Sequence, residues 1–335
     1  MNPQPLVSVV IPVFEEEGRV AAVISTIAKQ TYPTTSIEVI VVDGVSGDET
    51  RSVATSAMSE HDFHSALVVE NPGRTRPSNL NVALEASSGS IVCRVDARCD
   101  LPPEYISTCV EILSGRPEVF VVGGTQVAEV PGGAPLVARG IRRAMRNPVV
   151  MGWSRYRTSS RAGESDTVYL GAFRRDDLVA VGGWDERFLI NEDFELNRRL
   201  AKQGLVWFDP RLSVSYVPRD SLTALFAQYR GFGRWKAAGW LEAGSMTSRH
   251  AALLLVPPAG VAGLAILGRS HPVAVGGAAV VLAAAIDLGA KDPAPVIERM
   301  AGLVAATAIV TGWYGGVVEQ AIRWTKGERL IPQED

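Results

Sequence analysis

A chain of 335 residues has room for one large domain with an appendage, or for two domains. Charged residues make up 21 % of it and apolar ones 47 %, close to ordinary globular composition. The net charge of −3 argues against nucleic acid as a partner, because nucleic-acid binding usually shows a basic face.

The charge is unevenly spread. Up to about Arg249 the chain mixes charged and apolar residues. From Ala251 to Ile322 the charged residues are only Arg269, Asp287, Lys291, Asp292, Glu298, Arg299 and Glu319. Three cysteines, Cys93, Cys99 and Cys109, stand at no metal-ligand spacing and are expected to be reduced, small hydrophobes in a cytosolic compartment. Leu6–Phe14 (LVSVVIPVF) reads as a buried strand and not as a signal peptide. No positive residue precedes it, and Glu15-Glu16-Glu17 follows at once. The catalytic part is therefore expected on the cytosolic side.

After that first strand, Arg19–Gln30 places Val20, Val23, Ile24 and Ile27 on one helical face. Ile37–Val42 is a second strand, stopped by Asp43-Gly44. A helix is expected through Thr50–Ser59, a third strand over Ala66–Glu70, a helix over Pro77–Ser87 and a fourth strand over Ser90–Val95. Val119–Val127 is a further strand region. Apolar strands separated by helices predict an α/β fold with a mostly parallel sheet covered on both faces. In such sheets ligands sit beyond the carboxyl ends of the strands. Glu15 and Glu16 follow the first strand, Asp43 the second and Asp96 the fourth, so these carboxylates are expected at one edge.

Beyond Val127 the pattern becomes irregular. Pro131–Pro135 is a loop, Ile141–Arg146 is basic, and Trp153–Arg161 holds three arginines. Helical periodicity returns over Glu192–Gln203, with Leu196 and Leu200 four apart and Gly204 as the stop. Asn191 is expected to cap this helix. Glu192 and Asp193 then stand in its first turn, where the positive helix end favours carboxylates.

Four segments, in order, carry a family resemblance: VSVVIPVFEEE, DGVSGDET (Asp43–Thr50), Asp96-Ala97-Arg98, and GGWDERFLINEDFELNRRLAKQG (Gly182–Gly204). Together they resemble glycosyltransferase family 2, the inverting enzymes of GT-A fold that use nucleotide-sugar donors, and most of all its bacterial succinoglycan-type exopolysaccharide members. The likeness covers about Val7 to Trp235. It implies that Pro12, Phe14, Glu16, Asp43, Arg76, Asp96 and Arg98 bind the donor. It further implies that Trp184, Glu192, Arg234 and Trp235 bind the acceptor and that Asp193 is the catalytic base. The implied donor is a nucleotide-diphosphate sugar, with UDP the expected nucleotide, and the implied cofactor is Mg2+ or Mn2+ at Asp96.

The chain departs from the family at Arg98, which stands where the Asp-x-Asp motif has its second carboxylate. A guanidinium has donors only and cannot ligate a metal. Either Asp96 holds the cation with help from the diphosphate, waters and Asp100, or Arg98 contacts the diphosphate itself. An Asp96–Arg98 surface pair is the plain alternative. Gln228–Trp235 (QYRGFGRW) resembles the Gln-x-x-Arg-Trp element of processive members with its spacing stretched, so transfer of a single sugar is expected. An interfacial aromatic-basic helix reads the same segment equally well.

Three apolar stretches follow: Ala251–Gly268, Pro272–Ala290 and Met300–Val318. Each is near the ~20 residues that span a bilayer. Pro257-Pro258 would kink the first. Basic residues flank the set on both sides, which favours an even number of crossings, although three stretches are present. The expected organisation is a catalytic domain over 1–235, a connector over 236–250, membrane helices over 251–322 and a polar tail over 323–335. A cytosolic transferase at the cell membrane suits a lipid-linked glycan as acceptor. Transfer onto polyprenyl phosphate, and a non-catalytic nucleotide-binding membrane subunit, are the alternatives.

Overall fold

The computed structural model describes residues 4–152, 160–246, 251–252, 254–255, 287 and 293–331. The chain falls into two compact units. One comprises Met1–Glu129 and Trp153–Val217, the other Val130–Gly152 and Pro218–Asp335.

The first unit opens with β1 (Val7–Val13), α1 (Val20–Ala28), β2 (Ile37–Asp43), α2 (Thr50–Ser59), β3 (Ser65–Glu70), α3 (Arg76–Ala86) and β4 (Ile91–Arg94). Then come β5 (Cys99–Asp100), α4 (Tyr105–Gly115), β6 (Val119–Gly124) and β7 (Gln126–Ala128). In the second unit lie α5 (Leu136–Met145) and α6 (Pro148–Met151). The chain returns to the first unit with β8 (Gly163–Glu164), β9 (Tyr169–Arg174), α7 (Arg175–Ala180), α8 (Glu192–Leu200), β10 (Leu205–Phe208) and β11 (Val214–Tyr216). It ends in the second unit with α9 (Leu222–Ala243) and α10 (Val296–Thr325).

The main sheet has the order β3-β2-β1-β4-β9-β6-β10-β8, and β5-β11-β7 form a small second sheet. Strands β3, β2, β1 and β4 run parallel in register, Val13 opposite Asp43 and Val10 opposite Arg94. Strand β9 enters antiparallel between β4 and β6, so the sheet is mainly and not wholly parallel. Successive side chains of a strand face opposite ways. Val9, Ile11, Val39 and Cys93 therefore pack under α1, α2 and α4 with Val23, Ile27 and Ile106. Val10, Ile40 and Val92 pack on the other face with Leu80 of α3, Leu178 of α7 and Leu196 and Leu200 of α8.

One buried carboxylate ties the amino-terminal edge of this sheet. Glu38 accepts from the Ser8 hydroxyl at 2.5 Å, the Ser88 amide and hydroxyl at 2.9 Å each, and the Ser65 hydroxyl at 3.3 Å. Burial alone would raise its carboxyl; the four hydrogen bonds outweigh that and hold it below the ordinary glutamate value. A depressed folded value means that Glu38 contributes stability above the unfolded value of about 4.3, lost as pH falls through the folded one. Glu38→Gln is expected to cost about 1–3 kcal/mol at pH 7. It should also flatten the acid limb of a stability–pH curve below about pH 4.3. Thermal unfolding measured at several pH values checks both.

In the second unit, α10 packs along α9 and α5 around Ile141, Ala144, Leu225, Tyr229, Ala305, Ala306 and Ile309. The helices meet at glycines. A Cβ on Gly316 would fall 2.0 Å from the Arg230 carbonyl oxygen, and one on Gly233 2.0 Å from that of Trp313. Gly312 and Gly316 make a small-xxx-small stripe of the kind that lets helix backbones approach closely in lipid. Glu319 pairs with Arg230 at 2.8 Å and Arg234 at 3.4 Å. Along α10, Met300, Val304, Val318 and Ile322 are exposed. Among the described residues α10 is the one helix long and apolar enough to cross a membrane. The stretches Ala251–Gly268 and Pro272–Ala290, apart from a few residues, lie outside the described residues, as does most of Trp153–Arg161. Gly316→Leu is expected to lower the thermal midpoint in detergent, with an overpacking cost of about 1–3 kcal/mol or more. Gly315→Leu should leave it unchanged, because a Cβ there meets nothing.

Candidate active site

Parallel strands deliver their last residues to one edge, and here three strand-end loops are stitched together. After β1, the Glu15 amide donates to the Ser46 hydroxyl at 2.8 Å and the Glu16 amide to Thr50 Oγ1 at 2.9 Å. After β2, Asp43 is fully buried. It accepts from the Ser46 amide at 2.9 Å and the Ser46 hydroxyl at 2.5 Å, with the Arg51 Nε 3.7 Å away. After β4, Arg98 donates its Nε–H to Glu16 Oε1 at 2.9 Å. Asn79 of α3 adds a brace, its amide donating to the carbonyls of Val13 and Val42 at the ends of β1 and β2.

The second cluster joins β4 to α8. Arg94 is 4 % exposed. Its Nε and Nη2 donate to the two oxygens of Asp96 at 3.0 and 3.3 Å, and Nη2 also lies 3.1 Å from Glu192 Oε1. Arg76, the first residue of α3, reaches the same Glu192 oxygen at 3.5 Å. Burial would raise the Asp96 carboxyl, but Arg94, then Arg76, outweigh it and hold it below the ordinary aspartate value. Burial likewise works against the charged Arg94 guanidinium, yet Asp96, Glu192 and Asp193 hold it above its ordinary value. Asp193 follows Glu192 directly in the first turn of α8.

Several expectations change in detail. Asn191 does precede α8, but its backbone is left-handed (φ 66°) and its side chain makes no cap hydrogen bond. In the first turn, Asp193 Oδ1 accepts from the Phe194 amide at 2.7 Å. Arg98 pairs with Glu16 and not with Asp96, whose oxygens the nearer Arg94 occupies. Glu192 is turned inward as an ion-pair partner. Trp184 is 1 % exposed and packs edge-on against Phe173 in the core. Its backbone amide and carbonyl are both held by the Asn81 side chain at 2.8 Å. Pro12 is half-buried in β1 and Phe14 is exposed just beyond it. Asp100 is exposed on β5. Arg234 and Trp235 lie on α9 in the second unit, Arg234 facing Glu319 and Trp235 buried.

Arg94 was not among the residues expected from sequence. Its signal is a cation inside an apolar strand, IVCRVD, which must find a buried partner. Arg199 is a second such residue. It pairs with Glu195 at 2.7 Å and donates to the carbonyls of Val181 and Gly183, fixing the segment that leads into α8.

Backbone strain gathers at this edge. Of the five described non-glycine residues with positive φ, Glu15, Val45, Arg74 and Asn191 all stand on loops that border it. Val45 at 63° is β-branched, for which the left-handed region is costly. Such strain persists where the surroundings over-determine it and clusters at functional sites.

No set of three or more His, Cys, Asp or Glu side chains among the described residues could hold an ion. The donor set therefore fits an open site only. Asp96, half-buried with lone pairs to spare, would supply one hard oxygen, and a ligand and water the rest.

An α/β sheet with acidic strand ends and a carboxylate-led helix beside them is the architecture of a GT-A transferase domain, and the comparisons agree. Residues 8–163 match the family model described as glycosyl transferase family 2. The succinoglycan biosynthesis protein ExoA of Rhizobium meliloti is 30 % identical over 316 residues, 91 % of this chain and 93 % of that protein. A dolichyl N-acetyl-alpha-D-glucosaminyl phosphate 3-beta-D-2,3-diacetamido-2,3-dideoxy-beta-D-glucuronosyltransferase of Methanococcus voltae is 23 % identical over 242 residues, covering 69 % and 72 %. The mannosyltransferase PcManGT of Pyrobaculum calidifontis, solved with GDP-Man and Mn2+, superposes with a TM-score of 0.67 at 19 % identity, over 97 % of this chain and 89 % of that one. The chain belongs to glycosyltransferase family 2 and is a glycosyltransferase.

Asp43→Asn is expected to set an amide N–H2 against the Ser46 amide or hydroxyl. It should unfix the turn at Ser46, at a cost of about 1–3 kcal/mol, and weaken nucleotide binding. Calorimetric titration with UDP and GDP reads the affinity, and thermal unfolding reads the stability.

Proposed function

We propose that this chain is an inverting transferase. In this reading it moves one sugar from a nucleotide-diphosphate donor, expected to be a UDP-sugar, to a hydroxyl of a lipid-linked glycan in polysaccharide synthesis. The observation that carries the reading is the closing of Asp96 and Glu192 on Arg94, with Arg76 on the same Glu192 oxygen and Asp193 next to Glu192 in the first turn of α8, beside the loop in which Arg98 meets Glu16. Sugar transfer needs a proton acceptor for the incoming hydroxyl and positive charge for the leaving diphosphate. Asp193 is the base in this reading: it stands in the first turn of α8, where no second carboxylate is needed as a nucleophile. Arg76 and Arg98 are donors suited to phosphate oxygens. Asp43, Pro12, Phe14 and Glu16 belong to the donor side. A divalent cation, held by Asp96 together with the donor's diphosphate, would stabilise the charge on the leaving group.

The exposed apolar stripe of α10 supports attachment to a membrane, with the first unit as a catalytic domain on its cytosolic face. A lipid-linked acceptor then lies in the same plane as the anchor. The name of the Methanococcus relative, an enzyme of a dolichyl-linked glycan, is consistent with such an acceptor.

The test is a screen of UDP- and GDP-sugars with membrane lipid extracts, reading diphosphate release with Mn2+, Mg2+ or a chelator. Asp193→Asn is expected to lower kcat by about 10²- to 10⁴-fold while donor affinity is kept, the usual worth of general-base catalysis. A mild effect would favour a phosphate acceptor, which needs no such base.

A further inference from the structure

Arg94 does more than its ion pairs require. Its guanidinium is planar, with five N–H donors in a fixed fork. Nε and Nη2 are committed to Asp96 and Glu192. The remaining nitrogen, Nη1, is buried and has no hydrogen-bond partner among the described residues. Buried donors are nearly always satisfied, and one left unpaired costs free energy. Because the group is planar, Nη1 lies in the plane of the atoms that hold Asp96 and Glu192, at the carboxyl end of β4. The side chain of Asn191, the residue before Glu192, likewise carries a buried amide nitrogen without a partner. Asn191 and Glu192 are adjacent in the chain, and Glu192 is an ion-pair partner of Arg94. Two carboxylates already balance the charge of Arg94, so the missing acceptor need not be an anion. An uncharged oxygen suits it.

We infer that Arg94 is a specificity residue for the sugar being transferred: Nη1 is reserved for one hydroxyl of the donor's sugar ring, with Asp96 and Glu192 holding the fork in position. The inference rests on the transferase reading above and adds what the site recognises. No bond is made or broken at Arg94. A site built to hydrogen-bond a hydroxyl rejects the analogue that lacks it, because the buried donor is then stranded.

The experiment uses the full-length protein in detergent with the UDP- or GDP-hexose that it turns over, together with each mono-deoxy analogue of that donor. In the wild type, removal of one particular hydroxyl is expected to lower kcat/KM by at least about 10²-fold, and removal of the others by much less. In Arg94→Lys, which keeps the charge but loses the fork, the parent donor is expected to fall to the level of that deoxy analogue. The selective penalty should then shrink to about tenfold or less. A merely structural Arg94 would lower activity with all donors alike and leave the ratios untouched. Equal deoxy penalties in wild type and Arg94→Lys overturn the inference while the transferase reading stands. Should Arg94→Lys fail to fold, the wild-type series decides: no single hydroxyl worth more than about tenfold means that Nη1 holds only a water. No turnover with any donor overturns the transferase reading, and this inference with it.

Discussion

The site hangs on a cation placed where cations rarely go. Arg94 occupies the last position of a buried strand, and it is tolerated because Asp96, two residues on, and Glu192, ninety-eight residues on, close around it. Breaking a buried pair by removing one partner costs about 3–5 kcal/mol, so the three side chains hold one another in place. Through Glu192 the pair fixes the start of α8, and with it Asp193. Through Asp96 it fixes the loop that carries Arg98. Sheet end and helix start, far apart in the chain, are locked at the same point by largely buried ion pairs.

The rest of the first unit works to keep that point rigid. Asn79 braces the ends of β1 and β2, Asn81 grips Trp184 on both sides, and Arg199 clamps the Val181–Gly183 turn. Each is a directed hydrogen bond from a helix that is itself packed on the sheet. The left-handed residues Glu15, Val45, Arg74 and Asn191 are the cost of this arrangement. Strain of that kind survives only where packing leaves no relaxed alternative. In the second unit the constraint is different. There the helices approach until only glycine fits between them, around a buried apolar cluster that includes Ile141, Leu225 and Ile309.

Trp184 shows how an aromatic residue in a motif misleads. The family resemblance puts it on the acceptor side, but its ring packs in the core against Phe173. Asn191 misleads in the same way. Its residue type predicts a cap, and its left-handed backbone withholds one. Side-chain identity limits what a residue is able to do. Backbone conformation and neighbours select which of those things it does.

Apolar runs for β1 to β4, and helical patterning for α1 to α3 and α8, were enough to mark these elements, because both signals are local in the chain. The same strands told which loops would share an edge, since parallel strands all end on one side. Charge content set the apolar carboxyl-terminal region apart for a similarly local reason. Strand β9 was not visible in this way, because its place between β4 and β6 depends on partners far away in the chain. Nor was the pairing of Asp96 with Arg94, or the inward turn of Glu192. Those depend on distances across the fold, where a few ångströms decide which of several arginines a carboxylate meets, and no spacing along a chain encodes them.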